Sequence, residues 1–163
     1  VFYDAATRDF TWLVRPREHF RGDRHWKGWN VRFAGKRAGT ISVHGYHVIV
    51  IGQIQYRANR LAWLLVHGEP VPDLTDHIDT DKLNNRIANL RAATHADNGA
   101  NSKVRSNNRL GVKGVRVRQG GYEARISRHG EDYHLGCFKT IEEAVKAYRD
   151  AAERLQGVFA CHE

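Results

Sequence analysis

From residue 111 onward, apolar and polar positions follow two periods in turn. In "GVKGVRVRQGGYEARISRHGEDYHLGCF" they alternate: Val115 and Val117 fall on one face of a strand and Arg116 and Arg118 on the other, while Tyr122, Ala124 and Ile126 share a face opposite Glu123, Arg125 and Ser127. Turn residues at Gly120-Gly121 and His129-Gly130 divide the stretch into three antiparallel strands. In "TIEEAVKAYRDAAERLQG" the spacing changes to three and four: Ile141, Ala144, Val145, Tyr148, Ala151, Ala152 and Leu155 form one face of a helix. A Thr140 to Glu143 capping box opens it and Gly157 ends it. The helix must cover one face of the sheet, which leaves the other face uncovered and arginine-rich.

The first 70 residues read as β-rich and then helical. "FYDAATRDFTWLV" sets polar turn residues between two aromatic and β-branched runs, a hairpin pattern, and "YHVIVIGQIQYRA" is strand-forming with a break at Gly52. "NRLAWLLVHG" predicts a short helix through Leu61, Ala62, Leu64 and Leu65 with Gly68 as its stop. "RPREHFRGDRHWKGW" is basic and aromatic and is read as a hydrophilic loop or a nucleic-acid-binding segment. After the prolines of "EPVPD", the order is strand ("LTDHI"), Asn-rich loop, strand ("NLRAA") and helix, with Thr94 as N-cap and Asp97 three residues on. "SKVRSNNRL" is polar and free of aromatics, which predicts a linker.

Charge sharpens this division. The 163 residues carry a net charge of +8, and residues 103–128 hold eight basic side chains against one acid, Glu123, whereas residues 71–102 hold three basic and five acidic ones. A basic block of this kind fits a polyanion partner, since each neutralised phosphate releases condensed counterions. Composition that is 41% hydrophobic supports a real core. The longest apolar run, "LAWLLV", is far below the roughly 20 residues of a membrane span. No signal-peptide pattern is seen at the start, so a soluble, cytoplasmic protein is expected. Cys137 and Cys161 are far apart and form no CxxC, so both are expected to be free thiols.

The chemistry is concentrated in "TDHIDTDKLNNRIANLRAATHADN", residues 75–98. Hydrolysis of a phosphodiester needs a base to activate water and a cation to hold the phosphate, and a histidine beside an oxygen-ligated metal meets both needs. His77 is the candidate base, and Asn89 can accept its Nδ1 proton so that Nε2 takes the proton from water. Asp76 and Asn98 offer hard oxygen ligands suited to Mg²⁺, with Mn²⁺ as the alternative. His95, at the helix start, is either a further ligand or a supporting, phosphate-contacting residue. Asn84 and Asn85 are assigned to shaping the turn.

The spacing Asp76-His77, twelve residues to Asn89 and nine more to Asn98, closely resembles the phage-type HNH homing endonucleases with the ββα-metal fold. The upstream "YRANRLAWLLVHGEPVP" resembles the segment preceding the motif in that family, so the likeness covers most of residues 55–101. It implies His77 as general base, Asp76 and Asn98 as metal ligands and Asn89 as the residue orienting His77. The chain departs from the family at Asn59, where members often have histidine, and at Thr80, where they have glycine.

Residues 111–163 resemble the plant ethylene-response-factor (Apetala-type) DNA-binding domain, through "GVKGVRVR", "YEARISR", "YHLGCF" and the "EEAVKAY" of the helix. The resemblance implies DNA-facing roles for Lys113, Arg116, Arg118, Arg125, Ser127 and His134, with Arg109 and Arg128 toward backbone phosphates or only water. His134 stands where the plant domains carry tryptophan and the first turn is one residue shorter, so base preference does not transfer.

The expected protein is α+β: a ββα-metal nuclease module with a β-rich N-terminal region (1–101, motif 75–101), a basic linker (102–110), and a three-stranded antiparallel sheet packed on one helix (111–163). Its expected activity is metal-dependent, site-directed cleavage of double-stranded DNA, by a monomer or weak dimer with no membrane or protein partner, in a phage-infected or bacterial cell. The rival is a non-catalytic, sequence-specific DNA-binding regulator on a degenerate nuclease scaffold. An RNA-binding module fits the charge but lacks the exposed aromatic platforms that stack single strands.

Overall fold

A computed structural model describes residues 1–161, which form two compact units divided between Ala92 and Ala93. The division falls at 92/93, ahead of the segment read as a linker. Residues 102–110 form turns and irregular chain within the second unit.

In the first unit, β1 (Phe2–Tyr3) and β2 (Phe10–Thr11) make the expected hairpin. The Asp4 carboxylate accepts from the Ala6 and Thr7 amides and so shapes its turn. β3 (Thr40–Ile41), β4 (His47–Ile51) and β5 (Ile54–Arg57) form an antiparallel sheet in sequence order, with Gly52 at φ 57° in the β4–β5 turn. α2 (Ala58–His67) follows and stops at Gly68, as its sequence predicts. Tyr3, Phe10, Ala38, Ile49, Ala58, Leu61, Ala62 and Leu90 form the core. Phe10 and Ile49 are fully buried.

The reading of residues 15–29 as a loop is corrected: Asp23–Phe33 is a helix, α1. Trp26, Trp29, Asn30 and Phe33 recur at helical spacing, but the charges between them hide it. The Trp29 ring packs against Phe33 and Trp12, at centroid distances of 5.3 and 5.6 Å. Trp26 and Asn30 hydrogen-bond the backbone of Arg15. Beyond α2 come β6 (Leu74–His77) and β7 (Leu90–Ala93), hydrogen-bonded as a two-stranded sheet.

In the second unit, α3 (His95–Ala100) begins with the predicted capping box between Thr94 and Asp97. β8 (Val115–Arg118), β9 (Gly121–Arg128) and β10 (Glu131–Phe138) form an antiparallel sheet with β9 in the centre. α4 (Ile141–Gln156) carries its Thr140–Glu143 box and ends at Gly157. Val115, Ala124 and Ile126 are buried against Ala144, Tyr148, Ala151 and Ala152, so α4 covers the predicted face. Val117 shares that strand face but is 65% exposed at the end of β8. Gly114 is required where it stands. Its φ is 64°, and a Cβ there would lie 2.2 Å from the Tyr148 ring. Cys137 and Cys161 are free thiols. Among the described residues, no helix is long and apolar enough to cross a membrane.

Candidate functional site

The loop between β6 and β7 is built by its acids and amides. Asp79 and Asp81 cap successive turns: Asp79 Oδ1 accepts from the Asp81 amide and Asp81 Oδ1 from the Leu83 amide, each at 2.9 Å. Asn89 closes the loop. Its Nδ2 donates to Asp79 Oδ1 (2.9 Å) and to the Asn84 carbonyl (2.8 Å), and its Oδ1 accepts from the Asp79 amide (3.1 Å). Burial pushes the Asp79 pKa up, but hydrogen bonds from Asn84, Asn89 and the Asp81 amide outweigh it and hold it below the usual carboxylate value.

His77 is therefore served by a different amide from the one expected. Its Nε2 lies 3.1 Å from Asn85 Oδ1, a buried contact. Asn89 is the acceptor that its side-chain chemistry and the family resemblance imply, but its carboxamide is engaged by Asp79 and Asn84. Asn85 Nδ2 donates to the Leu83 carbonyl (3.3 Å), which fixes the amide with its oxygen toward the ring. A carboxamide oxygen only accepts, so Nε2 carries the proton in this contact, and in the neutral ring the accepting nitrogen is Nδ1. The expectation of Nε2 as the proton-accepting nitrogen is reversed accordingly. Asn85 is itself anchored: its carbonyl accepts from the Tyr3 hydroxyl at 2.7 Å.

Asp76 and His77, each 5% exposed, are adjacent on β6. Arg91, on β7, donates from Nε (3.0 Å) and Nη2 (2.9 Å) to Asp76 Oδ2. This partner was missed because it requires the pairing of two strands to be known. α2 fixes the entry to β6: Asn59 Nδ2 donates to the Thr75 carbonyl (3.0 Å), and Arg60 Nη1 to the carbonyls of Pro72 (2.6 Å) and Asp73 (2.7 Å). Tyr46 lies 6.4 Å from the His77 ring, centroid to centroid. Two cations, Arg57 and Lys82, lie over the Tyr46 ring at 4.4 and 4.7 Å.

Thr80, the departure from the family's glycine, adopts φ 63° and buries an Oγ1 without a hydrogen-bond partner. A β-branched residue in the left-handed region costs about 1–2 kcal/mol. Thr80→Gly is expected to raise stability by about 1 kcal/mol, after the extra flexibility of the unfolded chain is deducted. A higher urea midpoint at unchanged slope is the confirming measurement.

Asp76, His77 and Asn89 belong to the first unit; His95 and Asn98 lie on α3 in the second, both exposed. Within that unit α3 is fastened at both ends. Asp97 accepts from the Thr94 amide (3.0 Å) and hydroxyl (2.7 Å) and from Arg128 Nη2 (2.5 Å). These bonds, those from Thr94 first, hold its pKa at about 2. Lys113 Nζ donates to the Ala100 carbonyl at 2.9 Å, and burial pushes its pKa down. Two residues expected to meet DNA or water are thus engaged with α3: Lys113 as a cap on its last turn and Arg128 as the partner of Asp97.

The sheet face away from α4 has an organisation that charge counting hides. The lone acid, Glu123, is central: its side chain is 8% exposed, whereas those of Arg116 and Arg118 are 48% and 54% exposed. Arg116 Nε donates to Glu123 Oε2 at 2.8 Å and Arg118 Nε to the same oxygen at 2.6 Å. Arg125 Nε and His134 Nε2 stand 3.6 and 3.5 Å from Oε1. Hydrogen bonds from Arg116 and Arg118 hold the Glu123 pKa at about 2, so it is a fixed anion at neutral pH. Ser127, also expected to face DNA, donates its hydroxyl to Asp132.

Residues 56–100 match the family described as HNH endonuclease. The matched segment runs from the end of β5 through α2, β6, the Asn-rich loop and β7 to the end of α3, and contains Asp76, His77, Asn85, Asn89, Arg91, His95 and Asn98. The chain is also 37% identical over 99 residues to an uncharacterized HNH endonuclease of Acanthamoeba polyphaga mimivirus, an alignment covering 60% of this chain and 51% of that protein. The chain thus spans about half the length of the curated relative it matches. No solved structure matches it.

Proposed function

We propose that this chain is a site-directed, homing-type DNA endonuclease that hydrolyses phosphodiester bonds with the help of a divalent ion. The observation that carries the reading is the His77–Asn85 hydrogen bond, which sets up a proton-accepting imidazole inside the HNH-matching segment. Asn85 keeps the proton on Nε2, and His77 Nδ1 takes a proton from the attacking water. Asn89 acts at one remove, by holding closed the loop that carries Asn85.

Asp76 and Asn98 are the proposed ligands of the ion. Among the described residues no group of three or more His, Cys, Asp or Glu side chains is gathered to hold a metal. A carboxylate and a carboxamide oxygen fit Mg²⁺, which binds few protein ligands and keeps several waters; Mn²⁺ takes similar donors. When bound, the ion supplies positive charge at the scissile phosphate and the leaving 3′ oxygen. Arg91 keeps Asp76 oriented through its two hydrogen bonds. His95, exposed on the first turn of α3, is the proposed supporting contact to phosphate.

For the second unit, the uncovered face with Arg116, Arg118, Arg125 and His134 is the proposed double-stranded DNA reader, in the manner of a sheet entering the major groove. A non-catalytic regulator is the second reading, and the Arg91–Asp76 pair favours it, since Arg91 supplies Asp76 with a counter-charge of its own. A supercoiled-plasmid assay with Mg²⁺ or Mn²⁺ and an EDTA control separates the two. Nicked or linear product that EDTA suppresses is the expected result; retention of the plasmid without any product favours the regulator.

A further inference from the structure

A DNA-reading sheet gains affinity from each cation it presents, so an ionised glutamate at its centre is electrostatically adverse. On this face the carboxylate is also the most buried charged group, and four basic side chains converge on it. The register explains the convergence. Glu123 sits on the central strand directly across from Arg116 on β8, and Arg118 lies two residues further along the same strand face. Arg125 follows Glu123 on the same face of β9 and pairs across β10 with His134, just before the irregularity between His134 and Gly136. A carboxylate at this one position reaches basic side chains on all three strands.

The manner of attachment matters as much as the number. Both Arg116 and Arg118 reach Glu123 through Nε, and both go to Oε2. A guanidinium held by Nε keeps its plane fixed and still has its two terminal nitrogens to present, the arrangement that pairs bidentately with O6 and N7 of guanine. Long arginine side chains otherwise lose rotamer freedom when they bind, and ordering them beforehand shifts that loss to folding.

We propose that Glu123 is a specificity-determining positioning residue: it fixes Arg116 and Arg118 as a preformed pair for reading base edges, and in doing so lowers the affinity of the face for DNA of any sequence. The proposal rests on the reading of the second unit as DNA-binding. Glu123 itself does not touch the bases. It acts through the arginines, and the orientation it imposes is what distinguishes one sequence from another. Without it, both side chains are free to swing to the nearest phosphates, which carry no sequence information.

The test uses the full chain in EDTA, so that no cleavage intervenes, and a duplex library with a randomised central segment. Wild type is expected to enrich a motif. Glu123→Gln is expected to bind poly(dI-dC) several-fold more tightly, with the slope of log K against log salt steeper by about 0.9 for each arginine released onto a phosphate. Its preference for the enriched duplex over poly(dI-dC) should fall at least tenfold. Glu123→Asp separates geometry from charge. It keeps the anion but withdraws it by one methylene, so discrimination should fall without the gain in general affinity. Circular dichroism of both variants confirms the fold.

If Glu123→Gln enriches the same motif with the same preference, or if enriched and general affinities rise together, the proposal is overturned while the DNA-binding reading stands. A wild-type chain that enriches no duplex and shows no salt-dependent binding overturns both.

Discussion

Replacing His77 by alanine should reduce plasmid cleavage by about 10²–10⁴-fold, the span usual for loss of a general base, and leave DNA binding within about twofold of wild type. The expectation follows from the separation of roles. His77 lies on β6 of the first unit, and the arginines proposed to read DNA lie on the sheet of the second. Asn85→Ala offers a graded comparison. It retains the imidazole but removes the acceptor at Nε2, so the proton is no longer confined to that nitrogen, and an intermediate loss is expected. Asn89→Ala should act mainly through stability, because its carboxamide ties Asp79 to Asn84 and does not reach the ring. Cleavage rates at saturating DNA, measured beside band shifts in EDTA, separate these cases. Robust cutting by His77→Ala would remove the histidine from the mechanism.

The second large effect is expected on binding. Arg116→Ala with Arg118→Ala should weaken binding to the enriched duplex by at least tenfold at physiological salt and remove most of its preference over poly(dI-dC), since the two side chains lost are the ones proposed to read base edges. Cleavage by saturating enzyme should persist. The double replacement leaves Glu123 with Arg125 and His134 as its nearest basic side chains, at 3.6 and 3.5 Å. A thermal melt of the variant must therefore accompany the titration. Unchanged affinity and preference in a folded double variant would show that this face does not meet DNA.

Much of this arrangement is legible in the sequence wherever the signal is local. Thr94–Asp97 and Thr140–Glu143 announce two helix starts because capping depends on residues three apart. The strands of the second unit follow from alternation, and Gly68 and Gly157 mark helix ends. Asp76 and His77 stand out because an acid and a histidine side by side on a strand have few structural reasons to be there.

What escapes the sequence is set by partners. The charged residues of α1 outnumber and disguise its aromatic face. Asn85 and Asn89 are equally plausible neighbours of His77 until the loop's turns are fixed, and then only Asn85 points at the ring. Arg91, Lys113 and Arg128 look like surplus positive charge, yet each is committed to a named oxygen. Glu123 was counted as one acid among eight bases. Only the cross-strand register reveals that it sits among them.

The hydroxyl of Tyr3 on the carbonyl of Asn85 joins two points 82 residues apart. The span of chain matched to the HNH family starts long after Tyr3, so that segment by itself lacks the donor that steadies its own loop. Closing so long a loop is slow compared with forming helices and hairpins. During synthesis the β1–β2 hairpin emerges well before Asn85, and Tyr3 gains this partner only once Asn85 has been made. A truncated chain starting at α2 would keep every motif residue while losing the anchor that the Tyr3 hydroxyl supplies to Asn85.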